Sequence, residues 1–92
     1  MSAPLIGALR RHFIVEAPVA GADGMLTHEI RFLAWGAIEP SQSGVTIRLR
    51  NRDGYEPGWR LRLGARVFEI FARQDDETAS GFIACACREI AP

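Results

Sequence analysis

Short runs of alternating apolar and polar residues follow one another along most of the chain. In the clearest run, residues 45–50, Val, Ile and Leu alternate with Thr and two Arg. Alternation with period two puts successive side chains on opposite faces of a strand, so this run predicts a strand with a buried face and a cationic face. The same criteria predict strands at residues 11–16, 27–38, 59–63, 66–72 and 81–89.

The segments between these runs are rich in residues that favour turns. Asp23-Gly24 is a strong hairpin signal, and polar loops are expected at 39–44, 51–58 and 74–78. Five or six strands with short links predict a mainly β fold, either a small antiparallel β-barrel or a sandwich. Closure into a barrel would remove the exposed strand edges that invite aggregation. The length of 92 residues fits one domain, 1–92, in which residues 1–10 form a short helix or a loose N-terminal arm.

Several large apolar side chains are predicted to form the core. The strands at 27–38 and 81–89 are apolar on both faces, which is typical of strands covered by neighbours. Gly36 interrupts the first of these and indicates a bulge or a close approach of two backbones. The predicted core residues are Trp35, Ile47, Val67, Phe68 and Ile83.

The composition narrows the function classes. A hydrophobic share of 48% excludes wholesale disorder, and no run is long enough to span a membrane. The apolar start of the chain lacks the charge order of a signal peptide, so an intracellular, soluble protein is expected. All 11 cationic residues are Arg, which fits either a GC-rich genome or the use of guanidinium groups at interfaces. The net charge of zero argues against a strong, purely electrostatic nucleic-acid binder.

Residues suited to catalysis or metal binding occur without a recognisable pattern. His12 and His28 are isolated, the serines lack a nucleophile motif, and no glycine pattern matches a phosphate-binding loop. Cys85 and Cys87 would point the same way from a strand, but two thiols do not complete a zinc site. A core position is the better interpretation of both, with a metal or redox site as the alternative. We therefore predict no enzyme activity, no cofactor and no metal.

Arginines on two alternating runs are the best candidate contact residues. Arg48 and Arg50 come from one run, and Arg60 and Arg62 from the next. If the two strands pair, four guanidinium groups share one outer face. That face is either a solvated surface with Glu and Asp partners or an interface that contacts acidic loops or passing DNA.

The order of these motifs resembles the phage head–tail joining proteins, also called head completion, stopper or adaptor proteins, which include homologues in gene transfer agents. The resemblance covers residues 9 to 89 and rests on six segments in order. They are LRRHFIVE (9–16, followed by Pro18 and Asp23-Gly24), WGAIEP (35–40), VTIRLR (45–50), EPGWRL (56–61), GARVFEI (64–70) and CACRE (85–89).

The resemblance implies a β-barrel that assembles as a homo-oligomeric ring. Such a ring links the portal or adaptor complex of the head to the tail terminator or tail tube, and it extends the channel through which DNA passes. It also implies assembly in the bacterial cytoplasm and location in the phage or gene transfer agent particle. In family members that act as stoppers, a long segment between the second and third strands projects into the channel. Here only residues 41–44 remain, which favours the joining role over gating.

A second hypothesis follows from the small-barrel prediction. Nucleic-acid-binding barrels combine exposed aromatic side chains with cationic grooves. Tyr55 and Trp59, near the predicted Arg strands, are the candidate stacking residues.

Overall fold

Six strands form the part of the chain that the computed structural model describes, residues 11–42, 44–75 and 81–90. Within those residues no helix occurs. All strand pairs are antiparallel, and the sheet closes into a barrel with the order β1-β2-β3-β6-β5-β4. Of the two predicted architectures, the barrel is confirmed. The strands are β1 (Arg11–Ala20), β2 (Leu26–Ser41), β3 (Gly44–Arg50), β4 (Arg60–Leu63), β5 (Arg66–Asp75) and β6 (Phe82–Ile90).

Each predicted strand corresponds to an observed one, but two strands continue past a proline. β1 runs through Pro18, which pairs with His28, and β2 runs through Pro40, which pairs with Val45. At both positions the strand has a neighbour on one side only, because the β1–β4 pairing ends at Glu16 and the β1–β2 pairing ends at Gly36. A proline there removes no hydrogen bond from a second ladder, so the strand can continue.

The core lies inside the barrel and is built from alternate residues of all six strands. Ile47, Phe68 and Ile83 are fully buried, as predicted. Trp35 was predicted in the core, and this is wrong: its side chain is 56% exposed. The other members of the buried cluster are Phe13, Val15, Leu49, Tyr55, Leu61, Ile70, Cys85 and Cys87.

The alternation of β2 explains the position of Trp35. Gly36 is buried and Ala34 packs against the core, so Trp35 between them points outward, where its ring stacks on His12 at 4.6 Å. The core prediction for Val67 is also wrong. Val67 pairs with Arg62 on the outer face and is only partly buried, while Phe68 beside it takes the inward position.

Gly36 lies where β2 and β3 approach closely. A Cβ atom there would lie 2.9 Å from the backbone oxygen of Arg48 and 3.0 Å from the ring of Phe13. Both distances are shorter than ordinary contacts, so a larger residue would push the strands apart. Of the two predicted interpretations, the close approach is the one observed. The register shift that β2 shares with β1 occurs elsewhere, opposite Val15 and Glu16.

A loop of residues 51–59 lies between β3 and β4 and is fixed to the barrel by backbone hydrogen bonds to Ile70 and Gly81 and by two side chains. Tyr55 is 1% exposed and packs within the core, although it sits in an irregular segment with a φ of 56°. Arg73 of β5 donates hydrogen bonds to the backbone oxygen of Gly54 and to Oδ1 of Asn51, the latter at 2.6 Å. The sequence showed only turn residues here and did not predict this contribution to the core.

The β1–β2 hairpin continues past Glu16, where the pairing of β1 with β4 ends, and its last pair is Ala20 with Leu26. Its turn contains the predicted Asp23-Gly24 pair. The backbone N–H of Gly21 donates to the oxygen of Met25 at 2.8 Å, and Asp23 Oδ1 accepts from the Met25 N–H at 3.0 Å. The predicted N-terminal arm, residues 1–10, and most of the predicted loop at 74–78 lie outside the described residues.

Candidate interaction surfaces of the barrel

The four arginines predicted as contact residues point outward but do not form one cluster. Arg48 and Arg50 alternate with the buried Ile47 and Leu49 on β3, and Arg60 and Arg62 flank the buried Leu61 on β4. The condition for one shared face, that the two strands pair, is not met, because β3 pairs with β2 and β6, whereas β4 pairs with β1 and β5. Three steps separate them around a six-stranded barrel. The two arginine pairs therefore lie on opposite sides.

The β3 pair has local partners. Arg48 forms a bidentate contact with Oε1 of Glu39 on β2, at 2.8 Å from Nη2 and 3.2 Å from Nε. The guanidinium of Arg50 lies 5.2 Å from the ring centroid of Phe82, a cation–π distance. No carboxylate of the described residues lies within ion-pair distance of Arg50. Arg50 is thus the member of this pair with a charge available for another molecule.

The β4 pair lines an open groove of about 680 Å³ between β4 and the hairpin. Arg62 contacts the carboxylate of Glu16 at 3.3 Å, and Glu16 is only 7% exposed. The Nε of Arg60 is buried and has no hydrogen-bond partner among the described atoms. His28 lines the same groove, where its Nε2 lies 3.3 Å from the backbone oxygen of Gly58.

An apolar surface on the outside of β2 is the feature that the sequence did not predict. We call Ile30, Leu33 and Trp35 the β2 apolar face; they are 64%, 55% and 56% exposed. Contiguous exposed apolar side chains are characteristic of interaction sites. The sequence shows apolar residues on both faces of this strand, a pattern that favours a strand covered by its neighbours.

A groove of about 560 Å³ runs beside this face. Leu33, Ala34 and Trp35 form one wall, and the start of the 51–59 loop forms the other. Arg50 and Arg52 line it as well, and the guanidinium of Arg52 stacks 3.6 Å from the ring centroid of Phe32. The groove thus combines an apolar wall with cationic groups.

One of the two aromatic residues proposed for nucleic-acid stacking is in the core. Tyr55 packs edge-on against Phe32, with 5.6 Å between ring centroids, and burial raises the pKa of its hydroxyl to about 12. It cannot stack on a base, so this candidate is wrong. Trp59 is partly buried, and the guanidinium of Arg31 lies 5.9 Å from its ring centroid.

Cys85 and Cys87 both face the barrel interior and are fully buried, as the core interpretation predicted. Burial raises the pKa of the Cys85 thiol to about 12 and that of Cys87 further still, so both thiols remain protonated near neutral pH. Cys87 donates a weak hydrogen bond to the backbone oxygen of Cys85 at 3.5 Å. In the part of the chain that the structure describes, no three His, Cys, Asp or Glu residues are grouped as metal ligands would be.

Comparison with solved structures found a chain of similar fold. A chain in the solved structure of the virion of a native gene transfer agent particle has the same fold, with a TM-score of 0.69 and 24% sequence identity. The match covers 89% of this chain and 96% of that chain, so the two share the fold over nearly their whole length. No protein-family model matches the sequence, and no curated protein matches it significantly. Among the described residues, no helix is long and apolar enough to cross a membrane.

Proposed function

We propose that this protein is a non-catalytic structural component of a gene transfer agent or phage-like particle, acting at the joint between head and tail. The observation that carries the proposal is the shared barrel fold with a chain of a gene transfer agent virion, over 96% of that chain. The ordered motifs from residue 9 to residue 89 support the more specific joining role. The exposed β2 apolar face supports a function that works through contact with other proteins.

In this role the domain formed by residues 1–92 is one subunit of a ring that extends the DNA channel. The head side of the ring contacts the portal or adaptor complex, and the tail side contacts the tail terminator or tail tube. The subunits are made in the bacterial cytoplasm and end in the particle. Of the four arginines predicted at interfaces or along the channel, Arg50 and Arg60 are the better candidates, because Arg48 and Arg62 already contact Glu39 and Glu16.

The connection between β2 and β3 favours joining over gating. Ser41 pairs with Gly44, so only residues 42 and 43 link the two strands. This end of β3 lies close against β6, because a Cβ atom on Gly44 would overlap the backbone oxygen of Cys87. A link this short cannot extend across a channel. Any gate therefore has to come from another segment or another protein.

Electron microscopy of particles from a strain that lacks the gene tests the proposal. We expect DNA-filled heads and free tails, with a loss of at least tenfold in joined particles, because the joint would have no ring on which the tail assembles. A plasmid copy of the gene should restore joined particles. Normal tailed particles in the deletion strain would refute the proposal.

A further inference from the structure

An exposed aromatic side chain lies on β5, at the point where its pairing with β6 is irregular. Ile70 pairs with Cys87 and Ala72 pairs with Ala86, so Phe71 is an extra residue in a β-bulge. Its side chain is 44% exposed. Ile70 points into the core, so the regular alternation of the strand turns Phe71 outward, and the bulge shifts the residues that follow. Phe71 thus presents a large apolar group on an outer surface.

The register places Phe71 directly across the barrel from the β2 apolar face. When the pairings are followed through β6 and β3, Phe71 is level with Glu39 and Pro40 of β2. Counted the other way, by continuing the β5–β4 and β4–β1 registers two residues past their last pairs, it is level with His28. Strands in a closed barrel are staggered, so the point directly opposite lies about midway between these two positions. That point is Ala34.

Ala34 is the residue between Leu33 and Trp35, and these three side chains form the apolar wall of the groove beside β2. One side of the molecule therefore carries a projecting aromatic ring, and the other carries an apolar groove of about 560 Å³. Leu33 and Trp35 are more than half exposed in this wall, so an aromatic ring from another molecule can pack against them.

The charges around the two surfaces are complementary. Arg50, Arg52 and Asp53 line the groove, which gives it a net positive charge, and within the described residues neither arginine has an ion-pair partner. On β5, Glu69 and Asp75 lie near Phe71 in the sequence together with Arg73, whose guanidinium contacts Gly54 and Asn51, so this stretch has a net negative charge. A second copy of this chain thus offers an apolar ring beside a net negative charge to an apolar groove with a net positive charge.

We infer that Phe71 of one copy inserts into the β2 groove of the next copy, in a head-to-tail contact. A contact between two different surfaces of the same chain repeats from copy to copy, and it closes into a ring when the rotation per copy allows. This inference rests on the ring that the proposed function requires, and it identifies the two surfaces by which neighbouring subunits meet.

Cysteine cross-linking inside assembled particles tests the contact. The chain is expressed with Leu33→Cys, with Phe71→Cys, or with both, and particles are oxidised and run on non-reducing gels. The native thiols are buried and protonated, so they stay unreactive. We expect a ladder of cross-linked copies from the double variant and no dimer from either single variant. The matched control is Ala20→Cys with Phe71→Cys, since Ala20 is exposed on the hairpin and should give no ladder.

The outcomes separate this inference from the proposed function. If the double variant is present in tailed particles without a ladder, or if Phe71→Cys alone forms dimers, the head-to-tail contact is refuted and the joining role stands. A cross-link to a different virion protein also refutes it. If the wild-type protein is absent from purified particles, the proposed function fails and this inference fails with it.

A second pair of variants covers the case in which a cysteine chain is not incorporated. Phe71→Leu keeps an apolar side chain and should leave the number of tailed particles within twofold of wild type. Phe71→Glu should lower it at least tenfold, with no change in the circular dichroism spectrum of the purified protein. Equal particle numbers from the two variants would overturn the inference.

Discussion

At the scale of single residues, the place of an aromatic side chain in the fold decides whether it packs in the core or lies at the surface. Tyr55 contributes its ring to the core from a loop, whereas Trp35 lies on a strand and stacks on His12 at the surface. Cys85 and Cys87 occupy inward positions that a serine would fill only by burying a hydroxyl group. Burial makes the Tyr55 hydroxyl and the two thiols harder to ionise in the folded state than in the unfolded state, so these three groups link folding to pH.

We predict that the protein loses stability at alkaline pH. The pKa of Cys85 is raised from 9.0 to about 12, and that of Tyr55 from 10.0 to about 12, so the folded state holds these protons more tightly. The stability is fully present below pH 9 and falls as pH rises from 9 towards 12. At pH 10 each thiol should cost about 1 kcal/mol of the free energy of unfolding. Urea unfolding at pH 7, 8.5 and 10 measures this loss.

The control for this prediction is the double variant Cys85→Ala, Cys87→Ala. It should be less stable than wild type at pH 7, because two buried side chains become smaller. Its loss between pH 8.5 and pH 10 should nevertheless be smaller. An identical loss in both proteins would show that the thiols do not cause the pH dependence.

At the scale of elements, the 51–59 loop packs Tyr55 into the core, and its backbone takes conformations that favour glycine to do so. Gly54 has a φ of 112°, and a Cβ atom there would lie 2.8 Å from the ring of Trp59. Gly64, in the β4–β5 turn, has a φ of 61° and open space around it. An alanine at Gly64 therefore tests backbone strain alone, and an alanine at Gly54 tests backbone strain together with steric overlap.

We expect Gly64→Ala to cost about 1 kcal/mol of unfolding free energy, from the left-handed backbone alone. Gly54→Ala should cost more, about 2–4 kcal/mol, because the new methyl group also displaces the Trp59 ring. Urea denaturation of the two variants beside wild type gives both values. Equal costs would mean that the Trp59 contact does not constrain the loop.

At the scale of the whole molecule, the β1–β2 hairpin carries apolar side chains at its tip. Met25 and Leu26 are 66% and 68% exposed at the end of this hairpin. Such side chains contribute little to the stability of the free subunit, since they remain in water when it folds. In the proposed particle, the β1–β2 hairpin can reach a protein above or below the ring.

We predict that Met25→Ser with Leu26→Thr changes the free energy of unfolding by less than about 0.5 kcal/mol. The same double variant should lower the yield of joined particles about tenfold, because the hairpin tip loses its apolar contact with the neighbouring protein. Ala65→Ser is the matched control: Ala65 is exposed in the β4–β5 turn, and its replacement should leave the yield unchanged. A normal yield from the double variant would show that the hairpin tip does not contact another protein in the particle.

Much of the fold could be predicted from local patterns, but the contact surfaces could not. The strand at 45–50 was recognisable because its inward side chains are apolar and its outward ones polar. The same rule failed at 27–38, where both faces are apolar and the face of Trp35 depends on which side the barrel closes. The buried position of Tyr55 was equally hidden, because it depends on Arg73 and on Gly54, which come from different elements.

The sequence by itself determined the strands, the Asp23-Gly24 turn and the core positions of Ile47 and both cysteines, because these depend on local propensity and alternation. Only the tertiary structure decided which strands are neighbours. It moved Arg48 and Arg50 to the side opposite Arg60 and Arg62, because the chain passes from β3 to β4 across the barrel. Closure of the sheet also fixed which apolar face stays outside. The candidate contact surface is therefore a property of the closed barrel and not of any one strand.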